Sequence, residues 1–202
     1  MLTCCGLVSH PWEQFEVERK WRPNQLRCLI VGENPSYEGQ PYFYEEPISY
    51  NNDPVAVRCG LLQNLYKQEI LESATLTGFR EAGFLFDHAI RCHLSKDEVK
   101  KERESAQRFK SQRVQTPTHL LPTVMEAPIV WVMGHLARNA IANLIRDFPR
   151  EKRPISRPPF PGEIVPGSRY FLSEYLNPRW NKNRWPQIFA AFLEFAKTRD
   201  IF

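Results

Sequence analysis

Apolar residues along the chain form four short runs, and the longer stretches between them have helical spacing. The runs lie at residues 26 and 28–31, 84–90, 129–133 and 169–172, and they have the length and the branched or aromatic content of buried strands. The second run is interrupted by Asp87 and His88. Between the runs, apolar residues recur every three or four positions. Strands that alternate with helices in this way predict a parallel sheet covered by helices.

Helix start signals support this division of the chain. Asp53 followed by Pro54 marks one start, and Ser95 with Glu98 forms a capping box for a charged surface helix over residues 96–110. Further helices are predicted over residues 117–125, 134–148 and 186–197. The helical positions expected on or beside a buried face are Val57, Leu61, Leu62, Leu65, Tyr66, Leu136, Ala140, Leu144, Ile188, Phe189, Phe192 and Phe195.

The predicted fold is therefore α/β with three layers: a central four-stranded parallel sheet flanked by helices on both faces. A chain of 202 residues is expected to form one domain over residues 1–202. Residues 1–24 are interpreted as a lead-in packed by Trp12 and Trp21. Residues 149–167, rich in proline and arginine, are interpreted as a long ordered loop.

Composition narrows the class of protein. Hydrophobic residues make up 42% and charged residues 25%, as in ordinary globular domains, and no apolar run approaches membrane-spanning length. The first residues lack the pattern of a signal peptide, and the odd number of cysteines, five, argues against a disulfide framework. We expect an intracellular protein, in the cytoplasm of a prokaryote or the nucleus of a eukaryote, with no membrane partner.

The net charge of +4 is unevenly distributed. Residues 1–60 contain eight acidic and five basic residues, whereas basic residues concentrate at 96–113, 146–157 and 179–184. A basic second half is typical of a surface that follows phosphates. Solvated helix faces are the alternative interpretation of each basic run.

The end of the first strand is the candidate active-site loop. After Gly32 come Glu33, Asn34, Pro35 and Ser36, which form a polar, proline-fixed turn where the strand ends. In open α/β sheets, ligands bind at the carboxyl ends of the strands. Soon afterwards comes an aromatic cluster at residues 42–44, so the two segments together predict a polar floor and a stacking wall for a planar heterocycle.

These residues carry a resemblance to a known family. GENPS at 32–36 followed by GQPYFY at 39–44 resembles the first motif of the uracil-DNA glycosylase superfamily. Its mismatch-specific and single-strand-selective branches have Gly-x-Asn-Pro-Gly, from which Ser36 departs, and its iron-sulfur branch has Gly-Glu-x-Pro-Gly. VWVMGHLARNAI at 130–141 is similar to the third-strand segment, and Asn177-Pro178 stands where the superfamily usually has His-Pro-Ser and its mismatch-specific branch Asn-Pro.

The resemblance implies a DNA glycosylase that hydrolyses the N-glycosidic bond of uracil or a related deaminated base, a reaction of base excision repair. Asn34 would position the attacking water, and Asn177 would bind the leaving base or the DNA backbone. Glu33 matches the glutamate of the iron-sulfur branch and would supply a carboxylate. Capping of a neighbouring backbone amide is the alternative role for Glu33.

The remaining roles follow the same resemblance. Tyr42 would stack on the base, with Phe43 as the second choice, and a place in the core is the alternative for both. Asp87 or His88 would read the base edge, although His88 also suits a purely structural role. The base pocket would thus contain Gly32, Pro35, Ser36, Tyr42, Phe43, Asp87 and His88, and the DNA contacts would come from Pro178, Arg179, Trp180 and Lys182.

No metal and no cofactor is expected. Cys92 lies near one iron-sulfur cysteine of the family, but the other cysteines lack the required spacing, and so do the five histidines for zinc. The expected partner is DNA, bound by a monomer. Two alternatives stay open: a catalytically weak or inactive nucleic-acid-binding protein on the same fold, and a flavodoxin-like nucleotide or flavin domain, which the absence of a glycine-rich loop disfavours.

Overall fold

A computed structural model describes residues 11–35, 42–46, 56–92, 94–107, 118–145, 148, 163–164, 168–174, 176 and 182–199. Its strands are β1 (Cys28–Gly32), β2 (Phe84–His88), β3 (Ile129–Met133), β4 (Glu163–Ile164) and β5 (Tyr170–Ser173). Its α-helices are α1 (Pro11–Gln14), α2 (Ala56–Lys67), α3 (Leu76–Glu81), α4 (Lys96–Gln107), α5 (Leu121–Glu126), α6 (His135–Leu144) and α7 (Trp185–Lys197).

The predicted parallel sheet is confirmed. The strand order is β2-β1-β3-β5-β4, and the neighbours β2, β1, β3 and β5 all pair in parallel. β4 is an addition of two residues, which pairs antiparallel with β5 at the edge of the sheet. It lies within the segment predicted as a loop over residues 149–167, and the rest of that segment lies outside the described residues.

Helices cover both faces of the sheet, which gives the predicted three layers. α4 packs against α6, which contacts β1 and β3, while α2 packs against α7, which contacts β5. β1, β2, β3 and β5 are buried along their whole length because both faces are covered. On the α7 side, Trp131 stacks on Phe192 at 4.4 Å between ring centres and meets Phe189 and Phe171 edge-on.

Several element boundaries follow the sequence signals closely. The capping box is present: the Ser95 amide donates to Glu98 Oε2 at 2.9 Å, and the Glu98 amide donates to Ser95 Oγ at 3.3 Å. The lead-in contains α1 and a π-helical turn (Val17–Trp21), and both Trp12 and Trp21 are buried as predicted. A 3-10 turn (Thr118–Leu120) precedes α5.

The structure also departs from the predicted elements. α6 ends at Leu144 because Ile145 is extended, and Phe148 turns back to meet Tyr170 edge-on at 5.0 Å. Tyr66, expected beside the buried face of α2, is half exposed. α3 was not predicted from the sequence, because its six residues are too few to show helical periodicity.

Within the described part of the chain, no helix is both long and apolar enough to cross a membrane. The helix start predicted at Asp53 and Pro54 and the last residues predicted for the charged helix, 108–110, lie outside the described residues.

Candidate functional site

The carboxyl ends of four parallel strands bring polar residues to one edge of the sheet. Glu33 and Asn34 follow β1, His135 follows β3 after Gly134, and Glu174 follows β5. β2 ends with Asp87 and His88 themselves, and His88 lies opposite Gly32 in the register. The sheet therefore assembles, along one edge, residues that are up to 141 positions apart in the sequence, from 33 to 174. We call this the carboxyl edge.

Glu33 is buried, with 3% of its surface exposed, and it caps helix α6. Its Oε1 accepts the His135 amide at 2.9 Å and the Leu136 amide at 3.3 Å. The N-cap residue of α6, Gly134, has no side chain to do this, so a carboxylate from β1 satisfies the first amides and lies at the positive end of the helix dipole. This contact matches the capping role, and the catalytic role of Glu33 stays a prediction.

Gly134 is required by this arrangement. Its φ is +86°, which L side chains rarely adopt, and a Cβ there would lie 2.6 Å from Glu33 Oε1. Gly32 has a similar packing role, because a Cβ there would lie 2.8 Å from the Phe86 ring. Both glycines let side chains of the carboxyl edge approach the backbone closely.

Asn34 is the polar residue at the end of β1 that retains partial exposure. Its Nδ2 donates to the Pro35 carbonyl at 2.6 Å, which holds the amide close to the turn. Pro35 itself is buried. Ser36, the next residue of the predicted base pocket, lies outside the described residues.

Residues 42–45 form a tight segment that we call the aromatic turn. Phe43 stacks on Phe86 at 4.2 Å between ring centres with an interplanar angle of 12°, which places it in the core. The Tyr44 hydroxyl accepts the Phe86 amide at 2.7 Å and donates to the Phe86 carbonyl at 3.0 Å. Because β2 is an edge strand, Tyr44 supplies hydrogen bonds that a further strand would otherwise supply.

Tyr42 occupies the place between the lead-in and the end of β2. Its ring stacks on Phe15 at 5.3 Å and is tilted against His88 at 5.7 Å. The hydroxyl is buried and makes no hydrogen bond within the described part of the chain. Burial raises the pKa of Tyr42 well above its usual value, and the negative charge of Asp87 raises that pKa further. Tyr42 is thus a neutral phenol with an unused hydrogen-bonding group beside His88.

Arg58 holds the aromatic turn in place. Arg58 was not among the site residues predicted from the sequence. The buried guanidinium donates from Nη1 to the carbonyls of Tyr42 (3.1 Å), Phe43 (2.7 Å) and Glu45 (3.0 Å). The signal in the sequence was an arginine in register with Leu61, Leu62 and Leu65 at helical spacing of three, four and seven. A charge on an apolar helix face needs buried partners.

The two candidates for reading the base edge, Asp87 and His88, have specific neighbours. Asp87 is fully buried and forms a bidentate pair with Arg91, at 3.0 Å from Nε to Oδ1 and 2.7 Å from Nη2 to Oδ2. The His88 amide also donates to Oδ1, and Arg91 in turn lies over the ring of Trp12. The carboxylate of Asp87 therefore anchors the lead-in, and the ring of His88 is the side chain that faces Tyr42.

At the end of β5, Ser173 and Glu174 complete the edge. Ser173 Oγ accepts the indole N–H of Trp131 at 2.8 Å and donates to the Glu174 carbonyl at 3.0 Å. Glu174 and His135 were not among the predicted site residues. The signal for both was their position immediately after predicted strands, the same signal that identified Asn34.

The predicted DNA loop lies largely outside the described residues. Asn177, Pro178, Arg179 and Trp180 are all in this undescribed part, while Lys182 begins a 3-10 turn (Lys182–Arg184) that leads into α7. Contacts between this loop and DNA stay predictions.

A polar groove lies at the opposite edge of the sheet, where β1 and β2 begin. The Arg27 amide donates to the Gly83 carbonyl at 2.8 Å at this amino edge. The groove has a volume of about 410 Å³ and is lined by Arg19, Lys20, Arg22, Asn24, Gln25, Arg27, Arg80 and Glu81. Its cations come mainly from the acidic first third of the chain, and glutamates outside the groove pair with Arg19, Lys20 and Arg22.

No cluster of histidine, cysteine, aspartate or glutamate among the described residues is arranged to hold a metal ion. Cys28 and Cys92 are buried and not joined in a disulfide, and burial raises the pKa of the Cys28 thiol well above its usual value.

Comparison with protein-family models and with curated protein sequences finds no match to this chain.

Proposed function

We propose that this protein is a DNA N-glycosylase that acts on uracil or a related deaminated base. The observation that carries the proposal is the pairing of two features at the carboxyl edge. Asn34 is a partly exposed amide directly after β1, and Tyr42 presents a buried hydroxyl with no hydrogen bond in the described part of the chain. Hydrolysis of a base that is flipped out of the DNA stack requires an amide that positions water and an aromatic side chain that can also hydrogen-bond to the base.

The proposed mechanism begins with a base turned out of the DNA stack. Cleavage of the bond between base and deoxyribose develops positive charge on the sugar and negative charge on the leaving base. Asn34 orients a water molecule toward the anomeric carbon, and the Tyr42 hydroxyl donates a hydrogen bond to a carbonyl of the base. His88, in contact with Tyr42, limits the space available to the base. DNA is the proposed partner, and the protein acts as a monomer.

A second candidate function is nucleic-acid binding without chemistry on the same fold. It is favoured by the contacts of the two carboxylates nearest Asn34 along the edge. Glu33 accepts two backbone amides of α6, and Asp87 is paired with Arg91. A site in which Asn34 has no carboxylate to assist it would orient water without removing its proton.

The test is a glycosylase assay with oligonucleotides that contain uracil, hypoxanthine, xanthine or mismatched thymine, in single and double strands, followed by alkaline cleavage of abasic sites. We expect excision of at least one base, and a loss of about 100-fold in Asn34→Ala. Asn64→Ala is the matched control, because Asn64 on α2 also donates from Nδ2 to a nearby carbonyl, that of Gly60 at 2.7 Å.

The alternatives give different results in the same experiment. Salt-sensitive DNA binding with no excision of any base would support the binding protein. Absence of both would overturn both functions. Equal excision by the wild type, Asn34→Ala and Asn64→Ala would leave a glycosylase in which Asn34 has no role.

A further inference from the structure

Glu174 is a buried carboxylate at the carboxyl edge with an oxygen that the described fold does not use. The residue is 9% exposed. Oε2 lies 3.5 Å from Nη1 of Arg184, whose side chain is about half exposed. Oε1 is buried and makes no hydrogen bond within the described part of the chain. A buried acceptor without a donor is costly to the fold, so such an oxygen is expected to serve a ligand.

The position of Glu174 is set by the hydrogen bonds of its neighbours in the sheet. Met133 is opposite Ser173 in the register of β3 and β5, and the Gly134 amide donates to the Ser173 carbonyl at 3.0 Å. Ser173 is itself held by the indole of Trp131. Glu174 therefore begins directly beside the start of α6, in line with the other polar residues of the carboxyl edge.

Asn34 and Glu174 lie at the ends of strands that are separated by one intervening strand, β3. Adjacent strands are about 4.8 Å apart, so the strand axes of β1 and β5 are roughly 10 Å apart. An asparagine side chain, one water molecule and a glutamate side chain together span such a distance. The two residues can thus contact the same small region above β3.

Their chemistry is complementary. An amide orients water but is too weak a base to accept its proton, whereas a carboxylate accepts it readily. Glu33 is engaged by the amides of α6, and Asp87 by Arg91. Among the described carboxylates of this edge, Glu174 has a buried oxygen that makes no hydrogen bond within the described part of the chain.

We propose that Glu174 is the general base of the proposed glycosylase, an inference that rests on the proposed function. The water oriented by Asn34 forms its bond to the anomeric carbon as the carbon–nitrogen bond breaks, and the electron pair of that bond leaves with the base. The proton of the water passes to Glu174 Oε1. It is then released to the leaving base, directly or through solvent, so that a free base and an abasic deoxyribose are formed.

The test compares the wild type, Glu174→Gln and Glu194→Gln in single-turnover excision between pH 5 and pH 9. Glu194 is an exposed glutamate of α7 and controls for the loss of one charge. We expect Glu174→Gln to lose about 100-fold at neutral pH and to lose the fall in rate toward acidic pH that protonation of a carboxylate base causes. The other charged and titratable residues along the edge are Arg184, Glu33, His135, Asp87 and His88, and all five are retained in every variant.

Thermal unfolding supplies a readout that does not depend on turnover. Because Glu174→Gln replaces a buried charge with a neutral group, we expect its Tm to rise by about 2–4 °C. A lower Tm would show that the carboxylate serves the fold, and would overturn the proposal.

The two levels of the proposal fail differently. Excision by Glu174→Gln within threefold of the wild type would overturn the role of Glu174 and leave the glycosylase function in place. No excision by the wild type on any substrate would overturn the glycosylase function and, with it, the general base.

Discussion

At the carboxyl edge of the sheet the charged side chains are buried and individually held, whereas at the amino edge they are exposed and paired on the surface. Glu33 and Asp87 accept hydrogen bonds from fixed donors, the amides of α6 and the guanidinium of Arg91. At the amino edge, Lys20 pairs with Glu46 although both side chains are about half exposed. A buried charge needs a fixed partner and therefore has one geometry, whereas an exposed charge is also solvated by water and is not held in one geometry.

This difference indicates where binding or catalysis can be built. A site needs polar groups whose positions persist without a ligand, because orienting them at the moment of binding costs entropy. In the described part of the chain, the carboxyl edge meets that requirement. Three cations of the groove at the amino edge, Arg19, Lys20 and Arg22, are already paired with glutamates, so the groove offers phosphate less attraction than its composition suggests.

The largest effect is expected from Gly134→Ala at the carboxyl edge. The methyl group would meet Glu33 at a backbone conformation that alanine rarely adopts, and the displaced carboxylate would leave amides of α6 unpaired. We expect the free energy of unfolding in urea to fall by about 3–5 kcal/mol.

Gly83→Ala is the matched variant at the amino edge. Gly83 also has a positive φ, of +87°, and a Cβ there would lie 2.7 Å from Arg27 Cγ and 2.9 Å from the backbone carbonyl oxygen of Gln25. The loss is expected to be smaller, about 1–3 kcal/mol, because the added methyl group at Gly83 does not displace a carboxylate that caps a helix. A larger loss at Gly83 than at Gly134 would contradict the comparison of the two edges.

Asp87→Asn is expected to have the next largest effect. It keeps the shape of the side chain but leaves the largely buried guanidinium of Arg91 without its countercharge. Breaking a buried pair in this way costs about 3 kcal/mol, and Tm should fall by about 6–12 °C. Asp97→Asn on the exposed surface of α4 is the control, with an expected change below about 0.5 kcal/mol. Equal changes in the free energy of unfolding for the two variants would show that the buried pair of Asp87 and Arg91 does not stabilise the fold more than an exposed carboxylate does.

Alkaline pH should weaken the fold through Tyr42 and Tyr44. Burial raises the pKa of both phenols, so their ionisation is favoured in the unfolded chain first. Their contribution is fully present below pH 10 and is lost as the pH rises above it, by about 1.4 kcal/mol per pH unit for each phenol. Urea unfolding between pH 8 and pH 11 measures this slope. Tyr42→Phe should roughly halve the part of the slope that these two residues cause. An unchanged slope would show that ionisation of Tyr42 does not weaken the fold.

The smallest effect is expected from Lys20→Gln at the amino edge. The Lys20–Glu46 pair is exposed, so its loss should change the free energy of unfolding by less than about 1 kcal/mol. The dependence of any DNA binding on salt should also stay the same, because the groove is not expected to displace counterions. A weaker dependence of DNA binding on salt would show that the polar groove at the amino edge contacts phosphate.

Much of the fold could be predicted from the sequence because its signals are local. β3 was predicted to the residue, and the Ser95–Glu98 capping box appears with both hydrogen bonds. Short elements were not predicted, because a local signal needs several residues to be recognised. α3 has six residues and β4 two, which is too few for a period of 3.6 or 2 to be recognised.

The candidate site was predictable in outline only. Its position at the strand ends follows from parallel topology, which is why Glu33 and Asn34 were identified, whereas Asp87 and His88 were identified from the resemblance to the glycosylase superfamily. The amides of α6 that bind Glu33, and the contact of Arg58 with the aromatic turn, were not predictable, because each joins distant parts of the chain.

The hydrophobic pattern thus determined the strands, most of the helices and the edge where polar residues gather, because periodicity and caps act over a few neighbouring residues. Folding in three dimensions decided which polar groups are committed to the structure. Glu33 caps α6, Asp87 binds Arg91, and Glu174 keeps an oxygen without a donor in the described chain. The cap of α6 joins residues 102 positions apart in the sequence. Asp87 and Arg91 are only four positions apart, but the burial of their pair is decided by tertiary packing.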